Sequence, residues 1–314
     1  MAIVVIGYLT THDAGTVPAG LAKANGRIEV ERIDVGAKYS GRVAEILVKE
    51  GDYVEKDSVV ARLDRTELNA EQSAARANVV RAEEAIRKAE AEVALREAEH
   101  KLFEIELERA MTLTQRAVLS EAELDKRNAE HAVSEARILA AKAALGDATA
   151  ALAVAQARVT QLDATIAEMT LKAPVAGRVE YKLVQPGTIL AAGARVVSIL
   201  DLSDAYMTIF LPTSQSGRVA LGSDARIVLD AAPTTIIPAM VSFVAGEAQF
   251  TPKVVETANE REKLMYRVKL KIDPQLLDDY RAYVKPGLTG DAYVKISRDA
   301  QWPDSLSPSL PDAN

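Results

Sequence analysis

The sequence predicts an elongated α+β protein: a long antiparallel α-helical coiled-coil hairpin inserted in a small β-sandwich and followed by a small β-barrel. Three observations lead there. From Asp64 to Pro174 about 110 residues pass with no proline and a single glycine, Gly146. Glycine and proline punctuate secondary structure, so their absence over such a length requires very long helices. A short strand-and-turn text stands before this stretch and returns after it. Beyond residue 201 the chain turns to alternating strand-like segments.

Composition limits what such a chain can do. At 314 residues it can hold two or three cores. Aromatic residues make up only 4%, which suits an alanine-rich coiled coil better than a compact globule. The net charge is -7 and no long basic run occurs, so nucleic acid is not an expected partner. Cysteine is absent, which excludes disulfides and thiolate metal sites.

Residues 1–26 read as a linker or anchor remnant. The opening MAIVVIGYL is too short to span a bilayer, which takes about 20 residues, and lacks the basic lead of a signal peptide. It fits a buried strand, or the end of a membrane anchor or signal. No other stretch reads as long and apolar enough to span. Residues 27–64 then hold YSGRVAEILVKEGDYVEKDSVVARLD, short β-branched runs broken at Gly41 and Gly51-Asp52. Residues 173–201 repeat that text as VAGRVEYKLVQPGTILAAGARVVSILD. Gly41, Val43, Val48 and Gly51 match Gly177, Val179, Val184 and Gly187; Val59-Val60, Leu63 and Asp64 match Val196-Val197, Leu200 and Asp201. Each copy is too short to bury a core alone. Brought together by a hairpin, the two can form one sandwich.

Residues 65–172 supply that hairpin. Asp64 with Glu67 and Ser120 with Glu123 fit helix-start patterns, and Pro174 is a stop. Each arm is about 70 Å long at 1.5 Å per residue. Val79, Ile86, Val93, His100 and Leu107 recur every seventh residue in the first arm. Leu124, His131, Ile138, Leu145, Leu152, Val159 and Ile166 do so in the second. Such a seam predicts a left-handed coiled coil. A turn centred near Ala117 pairs positions whose numbers sum to about 234. Ile86 then meets Ala148 and Val93 meets Ala141, large against small, so the helices can approach without voids. Nearer the tip, His100 faces Ser134 and Phe103 faces His131.

In residues 202–297, Ala205–Leu211, Ala225–Ala231 and one or two segments within Thr235–Ala245 are strand-like, with a short helix around Thr213–Leu221. Tyr266, Val268, Leu270 and Ile272 alternate with basic residues, and Ala292, Val294 and Ile296 repeat that pattern. This spacing predicts a barrel. Residues 298–314, rich in proline and serine, read as a disordered tail.

No GxxxxGK[ST] or GxGxxG motif occurs. His100 and His131 fall in neighbouring layers near the tip, where a metal site, a pH-sensing pair or simple register-setting polar positions are the available readings. No catalytic constellation, cofactor site or metal site is assigned.

The split SGRV…GDYV / AGRV…PGTIL repeat resembles the two halves of a biotinyl-lipoyl domain. With the hairpin between the halves and the barrel after them, residues 26–297 are similar to the HlyD-type membrane fusion proteins, the periplasmic adaptors of tripartite efflux and secretion pumps. A carrier domain would place a lysine where this chain has Leu63-Asp64-Arg65, so the halves are expected to clamp the rod rather than carry a swinging arm. In family members that dock a TolC-like outer-membrane channel, the hairpin tip carries an Arg, a Leu four residues on and a Ser seven further. ELERAMTLTQRAVLSEAELD supplies Arg109, Leu113 and Ser120. Without the resemblance, Arg109 could pair with Glu106, Leu113 could close the last core layer, and Ser120 could serve only as a helix cap.

The segment QFTPKVVETANEREKLMYRVKLKI is similar to the barrel of adaptors that serve ABC-type exporters. The membrane-proximal domain that many members build from both chain ends is expected to be reduced or absent. The resemblance thus implies a non-enzymatic periplasmic adaptor associated with the inner membrane. Its expected partners are an inner-membrane transporter of ABC type, a TolC-like channel, and further copies of itself in a hexamer, for export of drugs or other small molecules. A lipoyl- or biotinyl-type carrier and a structural coiled-coil scaffold are the alternatives.

Overall fold

The computed structural model describes residues 18–248, 264–297 and 299–310. Within these the repeat folds as one interleaved sandwich. The first copy forms β2 (Gly41–Ile46), β3 (Tyr53–Val54) and β4 (Val59–Leu63). The second forms β6 (Gly177–Lys182), β7 (Ile189–Leu190) and the start of β8 (Arg195–Pro212). The copies exchange strands. Gly41 of β2 pairs with Leu190 of β7, and the matching Gly177 of β6 pairs with Val54 of β3. Likewise Val43 faces Leu63 across β2–β4 as Val179 faces Ile199 across β6–β8. Neither half has a complete sheet without the other, and Val43, Val60, Leu63, Val179, Val196, Val197 and Ile199 are each at most 2% exposed between the layers.

The symmetry ends at the outer strands. β4 is flanked by β5 (Thr170–Lys172), which closes the layer β5-β4-β2-β7. β8 is flanked instead by β1 (Leu21–Gly36). Both β1 and β8 run on into the second domain, so the expected boundaries at residues 26/27 and 201/202 fall inside continuous strands. The only mark there is a register shift between Val30 and Glu31, opposite Ala205 and Asp201. Residues 21–26, expected as linker, belong to β1. The rest of the opening run, 1–17, lies outside the described residues.

The inserted stretch forms α1 (Thr66–Gln115) and α2 (Glu121–Glu168), 50 and 48 residues packed antiparallel. The cap of α1 lies one residue further on than its sequence pattern suggests: Arg65 occupies the cap position, and Asp64 Oδ1 accepts from the Thr66 N–H (2.9 Å) and hydroxyl (2.7 Å). Those bonds, the backbone one first, hold the Asp64 carboxyl below the usual carboxylate range. Its contribution is therefore present above the ordinary carboxylate pKa and lost as the pH falls through the lowered value. Amide protection in the first turn of α1, measured relative to the intrinsic exchange rate at each pH, should fall on acidification while that of the helix centre is retained.

Interhelical contacts follow the expected register. His100 meets Ser134, Arg127 meets Glu106, Lys142 meets Glu97 (3.0 Å), Gln72 meets Asp163 and Arg158 meets Glu71. Ala75, Ala110, Ala141, Leu162 and Ser134 are buried in the seam. Against expectation, an 18-residue window of α2 reaches a mean hydropathy of 1.5, apolar and long enough for a membrane span by composition alone. Alanine supplies much of that value, and the same helix carries the polar pairs above.

The second domain is a closed six-stranded antiparallel barrel in the order β1-β12-β9-β10-β11-β8, with β8 returning to β1. Its further strands are β9 (Asp224–Leu229), β10 (Ala232–Val244), β11 (Met265–Ile272) and β12 (Thr289–Lys295). Closure removes sheet edges. Met207, Ile209, Leu211, Ile227, Val268, Leu270, Ala292 and Val294 fill the interior, the inward half of the alternation visible in the sequence. The segment Thr235–Ala245 lies, up to Val244, in one strand, β10, and the foreseen helix is a single turn, α3 (Thr213–Ser216). A second short helix, α4 (Pro274–Asp279), caps one barrel mouth; Asp273 starts it by accepting from the Gln275 N–H at 2.8 Å.

Residues 299–310 are not a disordered tail. Ala300 and Leu306 pack with Leu21 and Ile236 on the outer wall, Ser309 bridges to Ile236, and Trp302 lies under the Arg226 guanidinium. Apolar side chains spaced among the prolines hold the strap down.

Candidate functional site

The turn between α1 and α2 is built without glycine. The Ala117 N–H donates to Thr114 O (2.9 Å) and the Val118 N–H to Leu113 O (3.0 Å), the paired bonds of a Schellman motif. That motif needs a left-handed residue after the cap, and Ala117 supplies it at φ 60°. An L-residue there costs about 1–2 kcal/mol, and glycine would recover part of it against its own chain entropy. Ala117→Gly should therefore raise stability by about 0.5–1 kcal/mol. A thermal melt with no upward shift would mean the turn is relaxed in another way. α2 begins at once: the Glu123 N–H donates to Ser120 Oγ at 3.3 Å, as the sequence pattern requires.

On this turn the three tip residues take different positions. Arg109 is exposed on the last turns of α1, Leu113 is half-buried and Ser120 is exposed at the cap. The pairing of Arg109 with Glu106 is not formed. Glu106 belongs to Arg127, whose guanidinium also reaches Glu123 and Glu130 at 3.0 and 2.9 Å. These carboxylates, Glu130 foremost, hold the Arg127 pKa above its ordinary value. No ion pair or hydrogen bond of the Arg109 side chain is found among the described residues, so its guanidinium keeps all its donors. Met111 and Val118 add exposed apolar surface, Val118 at 70%. Sequence reasoning missed these two; only the observed turn shows them outside the seam.

Below the tip, Ser134 Oγ donates to His131 O at 2.7 Å. Its one proton is thereby used, so the 2.8 Å contact to His100 Nδ1 is donated by the histidine. The His100 and His131 rings lie with centroids 4.6 Å apart. No group of three or more metal-binding side chains occurs among the described residues; the pair forms a polar layer in the seam. At the base, β4 passes directly through Asp64 and Arg65 into α1, with no lysine-bearing turn between them.

Split sandwich, inserted hairpin and following barrel together define a membrane fusion protein architecture. The family model for the barrel-sandwich hybrid domain of RND membrane fusion proteins matches residues 31–202, more than half of the chain. The chain belongs to that family. Among curated proteins, a UPF0194 membrane protein of Yersinia enterocolitica is 28% identical over 271 residues, covering 79% of this chain and 83% of the relative. Among solved structures, MacA from Actinobacillus actinomycetemcomitans aligns with a TM-score of 0.58 at 18% identity, over 90% of this chain and 79% of MacA. The membrane fusion protein Spr0693 from Streptococcus pneumoniae R6 aligns with a TM-score of 0.57 at 18% identity, over 87% and 98%. At such identities the structural likenesses speak for the fold.

Proposed function

We propose that this chain is a non-enzymatic periplasmic adaptor, held at the inner membrane beside an ABC-type transporter and reaching a TolC-like outer-membrane channel through its hairpin tip. Arg109, Leu113 and Ser120 make the channel contact. Further copies of the chain complete a hexameric conduit, and drugs or other small molecules pass under the transporter's selection and energy.

The observation that carries the reading is the tip itself. A stiff two-helix rod ends in a guanidinium without an internal partner among the described residues, beside apolar side chains partly or largely open to solvent. Rigid presentation of a donor group and an apolar anchor is what a small docking contact requires. Family membership supports the adaptor role. The split domain supports it too, because it fixes the rod at its base and shows no lysine where a carrier would be modified.

Crosslinking in intact envelopes followed by co-purification is the test. An outer-membrane channel and an inner-membrane transporter should be recovered together, through label positions at the tip and in the barrel respectively. Recovery of neither, with the protein folded and abundant, would overturn the proposal. Recovery of a transporter without an ATPase subunit would remove the ABC assignment alone.

A further inference from the structure

At the barrel mouth beneath α4 a cavity of about 310 Å3 opens. Protein interiors seldom leave voids larger than a water molecule. An apolar opening of this size in the mouth of a β-barrel has the dimensions of a small-ligand site. Ile28 and Ile272 of the barrel strands form its floor and Leu277 of α4 covers it, all three buried. Leu229 and Tyr283 also line it. Leu310, brought there by the C-terminal strap, forms part of the rim.

Among the described residues that line the cavity, Lys285 is the one that carries a charge. Lys285 lines the cavity and is exposed, and no ion pair to it is found among the described residues. Asp230, in the β9–β10 turn between the lining residues Leu229 and Ala231, is not itself part of the lining; its carboxylate is held by the Thr289 hydroxyl at 2.6 Å and keeps its charge. An ammonium without an ion pair among the described residues, at the entrance of a mainly apolar chamber, selects a ligand with an apolar body and an anionic head. A cationic amphiphile would meet repulsion at the entrance, and a fully polar solute would lose hydration against the floor.

We infer that this barrel mouth binds a compact amphiphilic anion, a single-chain carboxylate or phosphate monoester, with its alkyl part on Ile28, Ile272 and Leu277 and its head at Lys285. The site lies on the barrel, apart from the hairpin tip, and stands whether or not the tip docks a channel.

Calorimetric titration of the full chain with decanoate, decyl phosphate, decanol and decyltrimethylammonium tests this. Decanoate and decyl phosphate should each bind saturably at one site and compete with each other. The tighter of the two identifies the preferred head group. The decyltrimethylammonium ion should bind at least ten-fold more weakly than either. Ala231→Trp places a bulky side chain at an exposed position of the rim and should weaken both anions at least ten-fold. Lys285→Ala should weaken both anions about ten-fold and leave decanol unchanged. Circular dichroism matching the unsubstituted chain establishes that each variant is folded. Absence of saturable binding by both anions overturns the inference, as does binding indifferent to Ala231→Trp. Equal affinity for the anions and the cation overturns the assigned role of Lys285 and with it the ligand class.

Discussion

Arg109→Asp is expected to weaken binding to a TolC-like channel by ten-fold or more while leaving the hairpin intact. The guanidinium is exposed and without an internal partner among the described residues, so its loss should change stability by no more than about 0.5 kcal/mol. At a small interface, charged anchors of this kind carry a disproportionate share of the affinity. Reversing the sign adds repulsion wherever the partner surface is acidic. Leu113→Ser should act in the same direction through loss of the apolar contact. Ser120→Ala is a different case, because Ser120 also caps α2. It should cost about 1 kcal/mol of helix stability, and any binding loss must be read against that. The measurement is site-specific crosslinking at the tip with helicity followed in parallel. Unchanged crosslinking in Arg109→Asp with normal helicity would sink the assignment of the tip.

Gly177→Ala should be strongly destabilising and Gly41→Ala nearly silent, although the two glycines hold the same place in the repeat. A methyl group at Gly177 would fall far inside contact distance of the Leu200 carbonyl oxygen and 2.8 Å from Ile199 Cγ2, both on the buried strand β8. Backbone of a central strand cannot give way as a side chain can, so the penalty belongs at the upper end of overpacking, about 3 kcal/mol. At Gly41 the nearest atom to such a methyl is Leu63 Cδ1 at 3.5 Å, ordinary contact. The change there should stay below about 1 kcal/mol. Thermal melts of the two variants decide it. Equal destabilisation would mean that the two halves are packed alike and that the close approach of β6 to β8 is not real.

Much of this architecture was legible because long-range features left local traces. Uninterrupted helix formers, a heptad seam and the large-against-alanine layers determine the hairpin register before any contact is seen. The repeat revealed that two separated segments share one core. What stayed hidden depends on tertiary pairing. The chain gives no sign that β1 and β8 run unbroken through two domains, since a strand interior looks the same on either side of a register shift. The strap at 299–310 was misread because proline and serine dominate its composition while Ala300, Leu306 and Trp302 do the packing. α4 is only six residues long and begins on a proline, too short for a periodic signal. At the tip, the positions of Arg109, Leu113 and Ser120 followed from the turn. The freedom of Arg109 did not, because it depends on Arg127 of the other helix taking Glu106. Of the segment 249–272, on which the expected likeness to ABC-linked barrels was read, residues 249–263 lie outside the described residues.

The way the rod is rooted has a mechanical consequence. α1 leaves β4 and α2 returns into β5, and these strands are hydrogen-bonded neighbours. A pull on the far end of the hairpin draws both strands in one direction, so the bonds between them carry almost none of the load. The force passes instead to the junction of β4 with β2, at Val43–Leu63 and Ile46–Ala61. Bonds of an antiparallel pair lie perpendicular to the strands, and a load along the strand axis strains them together rather than one after another. The protein is therefore built to resist tension in shear at its root, and peeling can begin only if the two helices are pulled apart.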